Sequence, residues 1–218
     1  MKFRISNTAL AFGAMLFFVS SLVAQVPQLT PFSADMEMSS TRGDRGPRDM
    51  NGKMYVGHGA MRMEMQGEGP RQSVVITTFA TKTVDILMPQ QHMYIEHKAG
   101  DMPMGRRGPS PSDLKPYDPK NPCANEEGTT CKNLGTETVN GRTCDHWQVT
   151  HKDGKVSDVW IDQKLHFPIK TVGDGTTWEL SNIKEGEPDA SLFQIPAGYQ
   201  KMDMSNMGGM MHGGPPEQ

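Results

Sequence analysis

Three Asx-Gly pairs, Asn140-Gly141, Asp153-Gly154 and Asp174-Gly175, punctuate the second half of the chain, each between short runs rich in β-branched and aromatic residues. Such pairs accept the positive φ angles of a two-residue type I′ hairpin, so they fix which residues of the flanking strands stand opposite one another. Across Asp153-Gly154, a two-residue turn sets Trp147 against Trp160. Across Asp174-Gly175, it sets Ile169 against Leu180 and Thr171 against Trp178, while Lys170 meets Glu179 on the other side. The register predicts an antiparallel meander from about Leu134 to Ile183, with indoles and aliphatics gathered on one face.

The first half carries the same kind of signal. Ala34 to Ser39, Lys53 to Val56, Ala60 to Gln66, Ser73 to Phe79, Thr83 to Met88 and Gln91 to His97 alternate or are rich in β-branched residues, and Gly, Pro or Asn separates most of them. Helical apolar spacing is almost absent. Two polar stretches interrupt the strands, Thr41 to Asn51 and the Pro- and Gly-rich Lys98 to Asn133. From Met202 onward the sequence is a low-complexity Met/His/Gly run that has no means of building a core and is expected to be disordered. The reading is a mainly β protein, with a single β-rich domain over 25–201, a long insertion at 98–133 and a tail at 202–218.

Residues 1–24 have the layout of a secretory signal peptide: Lys2 and Arg4, an apolar run from Ala9 to Val19, then small residues up to Ala24. The apolar run is about half the length a membrane helix needs, so no transmembrane segment is expected in the mature chain. No Cys follows it for lipid attachment, and a periplasmic or secreted location is predicted. Removing the leader's two basic residues leaves 20 Lys and Arg against 25 Asp and Glu, a formal charge of −5 that disfavours nucleic acid as a partner. The three cysteines, Cys123, Cys131 and Cys144, enter an oxidising compartment, where disulfides persist. Cys123 and Cys131 bracket a short polar loop that a bridge closes. The predicted register separates Cys131 from Cys144 by roughly 20 Å of strand, too far for a bond. Cys144 is then left over or paired with another chain.

The succession Leu134-Gly135-Thr136-Glu137-Thr138-Val139-Asn140-Gly141-Arg142-Thr143-Cys144-Asp145-His146-Trp147 leads on to Val159-Trp160-Ile161-Asp162 and Phe167-Pro168-Ile169. It ends in Leu192-Phe193-Gln194-Ile195-Pro196-Ala197-Gly198-Tyr199. It resembles a family of exported bacterial domains of unknown function that look like the LolA/LolB lipoprotein-carrier superfamily. The likeness covers about Ala34 to Met202. It implies a strongly curved antiparallel sheet, an incomplete barrel with few short helices, whose concave apolar face holds acyl chains in related carriers. This sequence departs from the carriers in its scarcity of lid-forming helix, its Pro-rich insertion and its Met-rich tail.

No Gly-x-Ser-x-Gly or His-Glu-x-x-His motif is present, and Gly57-His58-Gly59 lacks the third glycine of a dinucleotide fingerprint. His92 and His97, like His146 and His151, are five apart, an odd spacing that points strand side chains to opposite faces. The chain therefore reads as a binding or carrier module and not as an enzyme. Met61, Met63 and Met65 alternate with polar residues and share a strand face, where flexible thioethers serve either as core or as the lining of an apolar cavity. The expected ligand-binding set is Met61, Met63, Met65, Trp147, Trp160 and Trp178, and the expected partner is an apolar small molecule or lipid, with an envelope protein also compatible. No resident cofactor is expected beyond a second reading, Cu(I) held by the soft donors Met202, Met204, Met207, Met210, Met211 and His212 of the tail.

Overall fold

The computed structural model describes residues 29–41, 48–66, 72–98, 121–124 and 127–202. Twelve strands form one open, curved sheet. In chain order they are β1 (Phe32–Ser40), β2 (Arg48–Gly57), β3 (Ala60–Gln66), β4 (Gln72–Thr78), β5 (Thr83–Met88), β6 (Met93–Lys98), β7 (Thr130–Val139), β8 (Arg142–Thr150), β9 (Val156–Asp162), β10 (Phe167–Gly173), β11 (Thr176–Glu185) and β12 (Gln200–Lys201). Their order across the sheet is β12-β6-β5-β4-β3-β2-β1-β11-β10-β9-β8-β7. Two antiparallel meanders thus meet where β1 pairs with β11, and the sheet does not close. The only helical pieces among the described residues are two 3-10 turns, Pro89–Gln91 and Ala190–Phe193. The signal-peptide region, the centre of the Pro-rich insertion and the tail beyond Met202 lie outside the described residues.

Two of the three Asx-Gly turns behave as the sequence predicts. Asn140 and Gly141 have φ of 49° and 76° and close the pair Val139↔Arg142; Asp174 and Gly175 have φ of 49° and 68° and close Gly173↔Thr176. Glu137↔Cys144, Lys170↔Glu179 and Thr171↔Trp178 follow. A fourth turn of the same kind, His58-Gly59, joins β2 to β3 with φ of 50° and 68°.

Asp153-Gly154 differs. The His151 N–H donates to the Lys155 carbonyl at 2.8 Å, and Gly154, at φ 80°, donates to the His151 carbonyl. The loop therefore holds three residues, Lys152 to Gly154, the arrangement in which a left-handed glycine ends a tight turn. Every pair beyond it moves by one residue: Trp147 faces Val159, and Trp160 faces His146. A one-residue slip moves a side chain to the other surface. Trp147 and Trp178 consequently share one face, through the row Trp147↔Val159↔Thr171↔Trp178, while Trp160 stands on the other with His146 and Lys170. The expected gathering of all three indoles on one side is thus overturned. Two bulges add smaller corrections. One at Leu134 sets Cys131 against Val149 and not Thr150, and one at Ile169 interrupts the β9–β10 ladder; the β10–β11 pairing runs only from Gly173↔Thr176 to Lys170↔Glu179, so Ile169 and Leu180 are both fully buried without being a ladder pair. The polar stretches are also shorter than expected, because β2 already begins at Arg48 and β7 at Thr130.

The main core lies on the face of β1–β5 that carries Phe32, Met36, Met54, Val56, Met61, Met63, Val75 and Val84. The far ends of β7–β10 fold onto it with Val139, Cys144, Leu165, Phe167 and Ile169, and the Phe32 and Phe167 rings meet edge to face at 5.3 Å. The opposite face of β4 and β5 carries Val74, Ile76 and Leu87, which pack with Tyr94 and Tyr199. The chain between Gly186 and Tyr199 runs as a strap across this side, held where Arg62 donates to the Leu192 carbonyl and the His58 ring bonds to the Pro188 carbonyl. β4 is therefore covered on both faces, which accounts for its unbroken Val74-Val75-Ile76.

Candidate binding groove beneath the disulfide loop

The loop that carries Cys123 returns to β7, where the Cys123–Cys131 disulfide spans a Cα–Cα distance of 5.8 Å, the pairing expected from the sequence. The bridge packs on Trp147, Val149, Val159 and Ile161, an apolar cluster separate from the main core. Beside it opens a groove of about 700 Å³, lined by Val149, Val156, Val159, Thr171, Trp178 and the disulfide. Val156, 47% exposed, presents its side chain at the mouth. The volume falls within the range usual for small-molecule sites, and an apolar floor with a few polar groups is their usual composition.

The rim is polar and cross-linked. Lys155 reaches Asp174 at 2.9 Å, tying the β8–β9 loop to the β10–β11 turn. The His151 ring bonds the Ser157 hydroxyl through Nε2 at 3.0 Å, and among the described residues no carboxylate orients Nδ1, so the pair lacks the third member of a nucleophilic triad. Gly173 permits the close approach of β9 to β10: a Cβ there would lie 2.6 Å from the Ser157 Cβ. The three-residue loop forms the groove, because it turns Val149, Val159, Thr171 and Trp178 to the same side.

Of the six residues expected to bind a ligand, Trp178 alone lines this groove. Trp147 forms the adjoining wall, 8% exposed, with its Nε1–H buried and without a partner among the described residues. Met61 and Met63 are buried in the main core, and Met65 packs against its margin. Trp160 lies on the other face of β9, where it packs against the margin of the main core and joins a polar network. Its ring stacks on His146 at 4.2 Å, its Nε1–H donates to Glu137, and the Lys170 ammonium sits 5.4 Å from its centroid. His146 is bonded to Glu137 and Asp158 through its two nitrogens, each at 2.9 Å, and donation from Trp160 and His146 holds the Glu137 carboxyl below the usual carboxylate range. Both ring nitrogens of His146 are thus engaged. Met202 donates its N–H to the Tyr94 carbonyl, whereas Met204, Met207, Met210, Met211 and His212 lie outside the described residues.

The groove residues Val149, Val156 and Val159 were not singled out from the sequence. A signal for them existed: Trp147 and Val149 on one strand, Val159 and Ile161 on the next, come together only if the loop between them has three residues.

The family described as "Domain of unknown function (DUF4412)" matches residues 32–166. No curated protein matches the sequence. Among solved structures, an uncharacterized conserved protein from Thermus thermophilus is 10% identical, with 79% of this chain and 90% of that chain covered and a TM-score of 0.51, a likeness of fold. MucB in the Pseudomonas aeruginosa MucA/MucB complex is 15% identical over 79% of this chain and 57% of that one, with a TM-score of 0.48. A LolA superfamily protein from Nitrosomonas europaea is 10% identical over 76% and 90%, with a TM-score of 0.39.

Proposed function

This chain belongs to the DUF4412 family, and we propose that it works outside the cytoplasm as a binding or carrier module that holds an apolar ligand in the groove beneath the Cys123–Cys131 loop. The observation that carries this reading is the groove itself, about 700 Å³ over a floor of Val149, Val159 and Trp178, open to solvent through the half-exposed Val156. Apolar surface left uncovered at a concave site marks a place where something else is buried. The disulfide supports an oxidising compartment, as does the leader-like start of the sequence. Among the described residues no helix is long and apolar enough to cross a membrane. The polar rim, which mixes Lys152 and Lys155 with Glu127, Asp153 and Asp174, favours a ligand whose apolar part enters the groove while a polar end stays in water. A single acyl chain with its head group answers that description.

Native mass spectrometry on gently purified protein, followed by titration with oleate, tests the reading. Saturable binding that is lost in Trp178→Ala and in Val156→Glu is the expected result. Protein that is uniformly unliganded and ignores oleate and phospholipid sinks it.

A further inference from the structure

All seven methionines of β1, β2 and β3 lie on one face. The ladders run without a break through Met38↔Met50, through Met36↔Gly52↔Met65 and through Ala34↔Met54↔Met63, and Met61 lies two residues from Met63. The other face of the same strands bears Asp35, Glu37, Asn51, Lys53, Arg62 and Glu64. Burial divides the seven. Met36, Met54, Met61 and Met63 are at most 4% exposed, and core packing accounts for them. Met38, Met50 and Met65 are half-buried at the far end of the face. Strand preference there favours Val, Ile or Thr over an unbranched side chain. Met38 also stands opposite Trp178, and sulfur–aromatic contact is a sufficient reason for that one residue but not for Met50 or Met65.

Of the three outer methionines, Met50 neighbours the other two, which stand on either side of β2. Met38 and Met50 are directly opposite, a relation that sets Cβ atoms about 4.5–5.5 Å apart, and Met65 is diagonal to Met50, at roughly 7–8 Å. Gly52 lies in their midst and contributes no side chain. The Met36 Cε occupies the space so left, 3.1 Å from where a Cβ on residue 52 would stand, so Met36 leans over Gly52 toward Met65. Side chains with three rotatable bonds bridge such separations readily.

We propose that Met38, Met50 and Met65, with Met36 as a fourth donor, form a thioether site for Cu(I). Thioethers are soft, neutral ligands that favour Cu(I) over Zn(II) or Mg(II). They carry no proton to lose, so binding releases none, in contrast to thiolate or imidazole sites. The donors lie on a sheet apart from the tail methionines; Met38 adjoins the acyl-chain groove through its cross-strand neighbour Trp178, but no donor lines that groove, and the proposal does not depend on what the groove holds.

Anaerobic titration of Cu(I) against a chromophoric Cu(I) chelator tests it in the full chain. The comparison uses a tail variant, Met204→Leu/Met207→Leu/Met210→Leu/Met211→Leu/His212→Gln, with and without Met38→Leu/Met50→Leu/Met65→Leu. The tail variant is expected to keep one Cu(I), with affinity constant between about pH 5 and 8, and to ignore Zn(II). Adding the strand substitutions should weaken it by about tenfold or more. The single change Met50→Leu, at a half-buried position, should keep the native circular dichroism and still weaken binding. A tail variant that binds no Cu(I), affinity that falls with acid through the histidine range, or a folded Met50→Leu with unchanged affinity overturns the proposal.

Discussion

Arg142 grips the buried carboxylate of Asp162 from the far end of β8, its Nη2 3.0 Å from Oδ1 and its Nε on Oδ2. The same carboxylate accepts the backbone N–H groups of Lys164 and Leu165 and so shapes the β9–β10 turn that delivers Leu165 and Phe167 to the main core. Glu185 joins from β11, bonded to Arg142 at 3.1 Å.

Breaking this pair should be costly. Asp162→Ala leaves two turn amides without their acceptor and the Arg142 guanidinium with Glu185 alone, and a loss of about 3 kcal/mol is expected, read as a fall in the urea midpoint. Burial pushes the Asp162 carboxyl upward, but donation from Arg142, Leu165 and Lys164 outweighs it and the net shift is downward. A depressed folded value means that the contribution is present above the unfolded carboxylate pKa, roughly 4, and is lost as pH falls through the folded value. Asp162→Ala should therefore flatten the acid limb of the stability profile.

Cys144 should be an inert thiol. It is fully buried beside Asp162, and burial first, then that carboxylate, pushes its pKa to about 11. At about pH 8 only on the order of one molecule in a thousand carries the thiolate. A thiol reagent is expected to leave the native protein unlabelled and to modify one cysteine per chain in guanidinium; rapid labelling of the folded protein would contradict the burial.

The disulfide closes a short loop, and Cys123→Ser/Cys131→Ser should cost about 2–3 kcal/mol. Because the bridge covers Trp147 and Val149, the same variant should show red-shifted tryptophan emission before global unfolding. A variant whose emission matches that of the parent would mean that the loop stays in place without the bond.

Gly52→Ala should be among the most damaging single changes. The added Cβ would stand 2.0 Å from the Glu64 carbonyl oxygen, a backbone atom held in the β2–β3 ladder. A loss at or above about 3 kcal/mol is expected, checked by thermal unfolding. Gly59→Ala meets no atom within 4 Å but sits at φ 68°, so its cost is backbone strain alone and should be smaller, roughly 1–2 kcal/mol.

The strands were legible because their alternation and turn chemistry agree; β3 and β5 run from Ala60 to Gln66 and from Thr83 to Met88, as the sequence predicts. The candidate site was less so. The choice between a two- and a three-residue loop at Asp153-Gly154 is settled by packing between neighbouring strands, and the pull of a Trp147–Trp160 pair hides the competing match of Val149 with Val159 and Ile161. Sequence alternation also shows that Met61, Met63 and Met65 share a face without showing what covers it. Val139, Leu165 and Phe167 arrive there from residues far along the chain, and the bulges at Leu134 and Ile169 follow no local motif.

The strap that ends in Tyr199 and β12 sets a constraint on timing. Val74, Ile76 and Leu87 are made early, yet their cover is among the last of the described residues to be synthesised. A growing chain therefore carries a bare apolar stripe until the final strand docks alongside β6. Ending the chain a few residues before Tyr199 would leave every finished molecule in that condition, prone to cluster with its own copies.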